Sequence, residues 1–160
     1  MKTKRLFFVI FLFLFCMTGC TTPFERNDQT TEESENEFPP TVSGFIKIEG
    51  FRHEMKSGNY RWERKKGLET EAVTTDAASP YQIGEGFDAI EVKPGADIAI
   101  ETKDKPKLSV FPWNEDGSGK EVILDNNRLS APSSKGRYIY EVLAKWSNGE
   151  VSYTFVVEVN

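Results

Sequence analysis

Cysteine and histidine are scarce in this chain. Its 160 residues include two cysteines, Cys16 and Cys20, and one histidine, His53. Zinc sites take most of their ligands from Cys and His, so the sequence offers no set of zinc ligands. A Ser-His-Asp triad would need His53 as its base, and no nucleophile motif of the G-x-S-x-G kind accompanies it. We therefore expect a protein that is not an enzyme, with no catalytic residues and no cofactor.

Long hydrophobic runs are also scarce. The longest, at residues 6–15, is the ten-residue stretch LFFVIFLFLF, and a membrane-spanning helix needs about 20 apolar residues. Three basic residues precede this run, and the small residues Thr18 and Gly19 follow it, just before Cys20. Basic, apolar and small zones in this order are typical of a secretory signal peptide. We predict that residues 1–19 are removed from the mature protein, and Cys16 with them.

The four residues at 17–20 read MTGC. They resemble the lipobox of bacterial lipoproteins, with Met17 at the position where Leu is more usual. The resemblance implies cleavage between Gly19 and Cys20 and a diacylglyceryl group on the Cys20 sulfur. Two acyl chains hold a protein on a membrane, so we expect the membrane as partner at Cys20 and an extracytoplasmic location. The alternative is an ordinary secretory signal with an incidental cysteine.

Acidic residues outnumber basic residues by 25 to 20, and removal of residues 1–19 with their three bases would leave 25 acids against 17 bases, with five of the eight excess acids at residues 21–40. Residues 21–40 hold six acids and one base. A segment of this composition cannot bury enough apolar surface to fold. We predict that residues 20–40 form the lipidated cysteine and a flexible linker with a reach of about 25 Å. The acidic linker argues against nucleic acid as a partner.

The most regular pattern lies at residues 136–160. Two runs of alternating apolar residues flank Asn148-Gly149, a pair that accepts the positive φ of a type I′ hairpin turn. This turn would place Trp146 opposite Val151 and Tyr140 opposite Val157. One face of the hairpin would then belong to the core, and the other would be mostly solvated.

Shorter strand patterns precede this hairpin, separated by segments rich in Gly, Pro and Asp. They lie at residues 45–48, 59–63, 89–92, 97–102, 107–111 and 121–125. Short strands at this spacing predict an all-β fold, an antiparallel β-sandwich, in a single domain at residues 41–160. We expect one helical turn within residues 74–83, with Asp76 as its N-cap.

The sequence GRYIYEV at residues 136–142, followed by a Trp, a tight turn and a last apolar strand, resembles the final two strands of an immunoglobulin-like domain. VKPGADIAIE at residues 92–101 resembles the turn into an early strand of such a sandwich. The chain also resembles uncharacterised lipoproteins of Gram-positive spore-formers, which favours a Gram-positive cell. These resemblances imply an Ig-like fold. They do not imply any particular activity, because that fold hosts many functions.

The segment NEDGSGKEVILD partly matches a calcium-binding EF-hand loop. It places Asn114, Asp116, Ser118 and Asp125 at loop positions one, three, five and twelve. The match departs at position eight, where Glu121 replaces an apolar residue, and the flanking patterns are not helical. We predict a hairpin loop followed by a strand, and calcium binding is the alternative.

Two of the three tryptophans are candidate ligand contacts. Trp113 stands beside Pro112 at the end of a predicted strand, where its ring could be partly exposed. Alternation places Trp62 on the same face as Tyr60. Buried aromatic residues dominate protein cores, so core packing is the first interpretation for Trp62 and for Trp146.

The only local basic cluster is RWERKK, with Arg61, Arg64, Lys65 and Lys66. It could face an anionic wall polymer or lipid headgroups. The alternative is an edge strand or loop whose lysines discourage edge-to-edge aggregation.

Together these patterns favour a non-catalytic binding or accessory domain, displayed outside the membrane toward a protein or a cell-wall component. A first alternative is a sensor of a small ligand or wall component, with a pocket near residues 74–83 or Trp113. A second alternative is a wall hydrolase that uses paired carboxylates. The 19 acids at residues 41–160 make any chosen pair uninformative.

Overall fold

The computed structural model of the protein describes residues 37–160, so the predicted signal peptide, its cleavage site at Gly19 and the lipidation site at Cys20 lie outside the described residues. The described chain forms eleven β-strands and one short helix. The strands are β1 (Gly44–Ile48), β2 (Phe51–Glu54), β3 (Lys56–Lys66), β4 (Glu69–Thr75), β5 (Ile90–Val92), β6 (Asp97–Thr102), β7 (Lys107–Asn114), β8 (Gly117–Ser118), β9 (Arg128–Ser130), β10 (Gly136–Trp146) and β11 (Gly149–Val159), and the helix is α1 (Pro80–Glu85). No helix in this part of the chain combines the length and the apolar character that crossing a bilayer requires.

The strands form two sheets that share one hydrophobic core. The smaller sheet has the order β2-β1-β6-β9, and the larger has the order β4-β3-β11-β10-β7-β8. Neighbouring strands are antiparallel, except that β5 pairs parallel with the end of β11. The core combines Ile46 and Ile98 of the smaller sheet with Val142, Tyr153 and Phe155 of the larger. The prediction of an all-β antiparallel sandwich is confirmed.

Two tyrosines of the larger sheet are buried in this core. Tyr153 is fully buried, and its hydroxyl donates a 2.8 Å hydrogen bond to the carbonyl oxygen of Val42. Tyr140 stacks on Phe155 with ring centroids 5.0 Å apart. Burial is the main cause that raises the pKa of both tyrosines to about 12, because a phenolate is poorly solvated in an apolar core.

The β10–β11 hairpin differs from the predicted register by two residues. Trp146 pairs with Gly149, so Ser147 and Asn148 form the turn, and neither Asn148 nor Gly149 has a positive φ. The predicted pairing of Trp146 with Val151 is wrong. A shift of two residues nevertheless leaves every side chain on its predicted face, because side chains alternate along a strand.

Part of the outer face of the larger sheet is buried, although this face of the β10–β11 hairpin was predicted to be mostly solvated. Ser152, Thr154 and Val156 of β11 are all buried. Helix α1 lies over this region, with Gly84 so close to Ile139 of β10 that a Cβ on the glycine would lie 2.7 Å from the isoleucine Cγ2. The prediction of a mostly solvated face is therefore wrong for the middle of β11.

Helix α1 begins later than predicted. Ser79 is its N-cap, since the Ser79 hydroxyl accepts a hydrogen bond from the backbone amide of Gln82 and the Gln82 side chain accepts one from the Ser79 amide. Pro80 stands in the first turn, where a missing amide hydrogen breaks no helical hydrogen bond. Asp76 is therefore not the cap.

Residues 121–125 do not form the predicted strand. Val122 makes a single bridge to Val110, and Asp125 makes one to Arg128. Ile123, in the middle of this segment, is 93% exposed. Conversely, β4, β8 and β9 form in segments for which no strand was predicted.

Candidate functional surfaces

Trp113, the aromatic residue predicted as a binding contact, lies half-buried on the outer face of the larger sheet. Its indole Nε1 donates a 2.8 Å hydrogen bond to Oε2 of Glu141 on β10. The other carboxylate oxygen, Oε1, accepts a 2.6 Å hydrogen bond from the Ser152 hydroxyl on β11. Hydrogen bonds to a carboxylate are stronger than those between neutral groups. The ring of Trp113 is thus partly exposed to a ligand, but its only polar atom, Nε1, already donates its hydrogen bond to Glu141.

Thr154 stands directly opposite Glu141 in the β10–β11 ladder. It is fully buried, and its Oγ1 has no hydrogen-bond partner among the described residues. An unpaired buried hydroxyl costs about 1–3 kcal/mol. The neighbourhood of Glu141 is thus the polar part of an otherwise apolar covered face.

The arginines of the predicted basic cluster lie on β3 and pair with nearby carboxylates. Arg61 Nη2 is 2.5 Å from Oε1 of Glu63, and Arg64 Nε is 2.9 Å from Oε2 of Glu71 on β4. The hydrogen bond to Glu63 is the main cause that raises the pKa of Arg61. Exposed pairs of this kind contribute at most about 1 kcal/mol each. An external anion can reach both guanidinium groups, because the Arg61 side chain is 57% exposed and the Arg64 side chain 41%.

The lysines of the cluster lie at the tip of the β3–β4 hairpin. Lys65 and Lys66 are both exposed, and Lys65 Nζ donates a 3.0 Å hydrogen bond to the Thr70 hydroxyl. Leu68 follows in the turn and is completely exposed. Strand β3 is flanked by β4 and β11, so the edge of the sheet is β4 rather than the basic strand itself.

Trp62 packs in the hydrophobic core, as the sequence analysis favoured. It is 3% exposed, and its ring centroid lies 5.1 Å from that of Trp146, with an angle of 39° between the rings. The indole Nε1 of Trp146 donates a 3.1 Å hydrogen bond to the carbonyl oxygen of Lys103. A ligand at the surface cannot reach the Trp62 ring in this arrangement.

The four calcium candidates are divided between the β7–β8 hairpin, which holds three of them, and a later turn that holds Asp125. The Asn114 side chain accepts a 3.0 Å hydrogen bond from the backbone amide of Asp116, which closes the β7–β8 turn, and Ser118 belongs to β8. Asp125 accepts a 2.9 Å hydrogen bond from the side chain of Asn126 in the next turn. Among residues 37–160 no group of three or more His, Cys, Asp and Glu side chains could hold a metal ion.

An open groove of about 750 Å³ runs beside α1, in part of the region predicted for a small-ligand pocket. His53 lies close by on the edge strand β2, where it pairs with Ile46 of β1. The groove is lined by Glu54, Met55, Lys56, Ser57, Gln82, Ile83, Gly86 and Phe87. Its walls are thus mixed in polarity, and it opens broadly to solvent.

Glu141, the buried Ser152 and the exposed Leu68 are residues of these sites that the sequence did not single out. Glu141 and Trp113 are 28 residues apart, so no local spacing could have linked them. Leu68 follows RWERKK after a single glycine. An apolar residue this close to a basic run is the sequence signal that could have identified it.

Comparisons of the chain with protein-family models, with curated proteins and with solved structures find no match in any of the three.

Proposed function

We propose that the protein is a lipoprotein, anchored at Cys20 to the extracytoplasmic face of the cell membrane, whose Ig-like sandwich serves as a non-catalytic binding or accessory domain. The sequence MTGC after a basic and an apolar zone is the observation that carries this proposal. Two acyl chains on one thiol supply a stable membrane attachment without a spanning helix.

The surface chemistry of the described domain supports a binding role. Its charged groups pair with one another between strands, as Arg52 of β2 with Glu101 of β6 and Arg64 of β3 with Glu71 of β4. The Glu141 carboxylate is likewise committed to Trp113 and to a serine hydroxyl. Carboxylates held in this way are less available for proton transfer, which needs a carboxylate within reach of the substrate, and this favours a binding role over a catalytic one.

Fractionation of cells that express the chain tests the anchor. Wild type is expected in the membrane fraction, and Cys20→Ala is expected to leave it, because only the Cys20 sulfur can carry the lipid. Cys16→Ala is the matched control and should behave as wild type, since this cysteine leaves with the signal peptide. Equal membrane retention of wild type and Cys20→Ala would refute the anchor.

In-cell crosslinking followed by mass spectrometry tests the accessory role. The lipidated protein is expected to capture one membrane or secreted protein reproducibly, and Cys20→Ala to capture less of it. If nothing is captured above the Cys20→Ala background, a protein partner is refuted, and wall polymers and small ligands become the next ligands to test.

A further inference from the structure

The tip of the β3–β4 hairpin combines positive charge with an exposed apolar side chain. Lys65 and Lys66 end β3, Gly67 turns the chain at φ +67°, and Leu68 follows with no part of its side chain covered. Lysines beside an isolated leucine match the boundary of a bilayer, where headgroup phosphates lie next to acyl chains.

The N-terminal entry of the domain lies at the same end as this tip. The Arg64 guanidinium carbon lies 4.3 Å from the centroid of the Phe38 ring. Further along the chain, the Val42 carbonyl accepts the hydrogen bond from Tyr153, which pairs with Ser57 near the start of β3. From Phe38 to Val42 the chain therefore runs opposite to β3, away from the tip. The described chain thus begins at the tip end, where Phe38 lies beside Arg64.

Other loops at this end add to its positive charge. The carbonyl of Lys103 meets the Trp146 indole, so the β6–β7 and β10–β11 connections lie together beside Trp62. Residues 61–71, 103–107 and 145–150 contain eight of the 16 bases at positions 41–160, but only five of the 19 acids. These segments carry a net charge of +3, and the rest of the domain carries −6. An anionic surface attracts the tip end and repels the remainder.

We infer that the tip of the β3–β4 hairpin lies in the headgroup region of the membrane that holds Cys20, with Leu68 at the level of the acyl chains and Lys65 and Lys66 on lipid phosphates. This inference rests on the proposed anchor. Sixteen residues separate Cys20 from Glu37, and the linker predicted for them would span about 20–25 Å. A tether of that length keeps the tip at high local concentration beside the bilayer, so a weak contact is sufficient.

Leu68 favours a lipid surface over a wall polymer as the occupant. A polyanionic wall polymer would bind the lysines but offers no apolar phase for a leucine. The occupant is therefore a bilayer that contains anionic lipids, and its headgroups and acyl chains complement the two chemistries of the tip.

A fluorescent probe at the tip tests the contact in the intact lipidated protein. Lipidation blocks the Cys20 thiol, so Leu68→Cys supplies the single thiol for an environment-sensitive label such as NBD. Phe51→Cys is the matched control, because Phe51 is 72% exposed and adjoins the β1–β2 turn at the opposite end of the sandwich. The labelled proteins are reconstituted into phosphatidylglycerol vesicles and into phosphatidylcholine vesicles.

The probe at position 68 is expected to shift its emission to the blue on phosphatidylglycerol vesicles and to shift less on phosphatidylcholine, while the probe at position 51 stays aqueous. Adding K65E and K66E to the labelled chain should reduce the shift. If the protein floats with the vesicles and both probes stay aqueous, the tip contact is refuted while the anchor stands. If the protein does not float with the vesicles, the anchor fails, and the contact fails with it. A shift produced by wall polymer and not by vesicles would also refute the membrane contact.

Discussion

Gly149 faces Trp62 across the β3–β11 ladder without room for a side chain between them. A Cβ on Gly149 would lie 2.2 Å from Cε3 of Trp62 and 2.6 Å from the carbonyl oxygen of Arg61. The glycine that suggested a turn is thus required by close packing. It also allows the Trp62 ring to lie beside Trp146, at the end of the sandwich from which the hairpin tip projects.

Gly149→Ala is therefore expected to destabilise the domain strongly. The added methyl group must displace either a buried indole or the backbone of β3, and overpacking of this severity costs about 3 kcal/mol. Urea unfolding measures the change in the free energy of unfolding. Ser147→Ala, in the exposed turn of the same hairpin, is the control and should change stability little. Similar small losses in the two variants would contradict this packing.

Gly84→Ala tests the contact between α1 and the sheet. A Cβ at this position meets three carbon atoms of the Ile139 side chain at 2.7–2.9 Å, and we expect a loss of about 1–3 kcal/mol in the free energy of unfolding. Gly86→Ala is the matched control, since a Cβ there comes no closer than 3.4 Å to another residue. If the two substitutions proved equally mild, α1 would not lie on Ile139.

Glu141→Ala removes the acceptor that Trp113 and Ser152 share. It leaves two partly buried donors without this acceptor, and we expect a loss of about 1–3 kcal/mol. Glu150→Ala is the control, because Glu150 pairs with Lys145 at 3.7 Å on the exposed surface, where such pairs contribute at most about 1 kcal/mol. Chemical unfolding should show a larger loss of stability for Glu141→Ala than for Glu150→Ala. A larger loss for Glu150→Ala would contradict the hydrogen-bonded cluster.

Alkaline pH is expected to destabilise the domain through its buried tyrosines. The pKa values of Tyr140 and Tyr153 are raised from 10.0 to about 12. Their burial is therefore fully stabilising below pH 10, and the stabilisation is lost as the pH rises toward about 12. Over that window each tyrosine lowers the free energy of unfolding by up to about 1.4 kcal/mol per pH unit.

Unfolding curves measured at several pH values for wild type and for Tyr153→Phe test this linkage. The variant should show a shallower fall in stability above pH 10, because one of the two titrating groups is gone. Equal slopes in wild type and Tyr153→Phe would contradict the raised pKa of Tyr153.

The sequence specified most of the sandwich because alternation records which face of a strand is buried. The strand β6 was predicted with its observed bounds, and the side chains of β10 and β11 that face the core were predicted correctly, although the opposite face of β11 is more buried than predicted. The register was not, since the dipeptide Asn148-Gly149 is typical of a turn and its glycine instead accommodates Trp62. A local pattern cannot distinguish a glycine needed for its φ from one needed for its missing side chain.

The candidate surfaces were less predictable because they depend on contacts between distant segments. The hydrogen bond from Trp113 to Glu141 joins residues 28 positions apart. The contact of Arg64 with Phe38 likewise depends on the path of the entry segment along β3. The residues of the basic cluster were evident from the sequence, whereas their position beside the chain entry required the fold.

The state of Cys20 in the mature protein is the most direct test of membrane anchoring. Mass spectrometry of the N-terminal peptide is expected to find Cys20 as the first residue with a diacylglyceryl group on its sulfur. A thiol assay of the denatured protein should then detect no free cysteine, because Cys16 has been removed and Cys20 is blocked. A mature N terminus at any other residue, or a free thiol at Cys20, would contradict the lipid anchor.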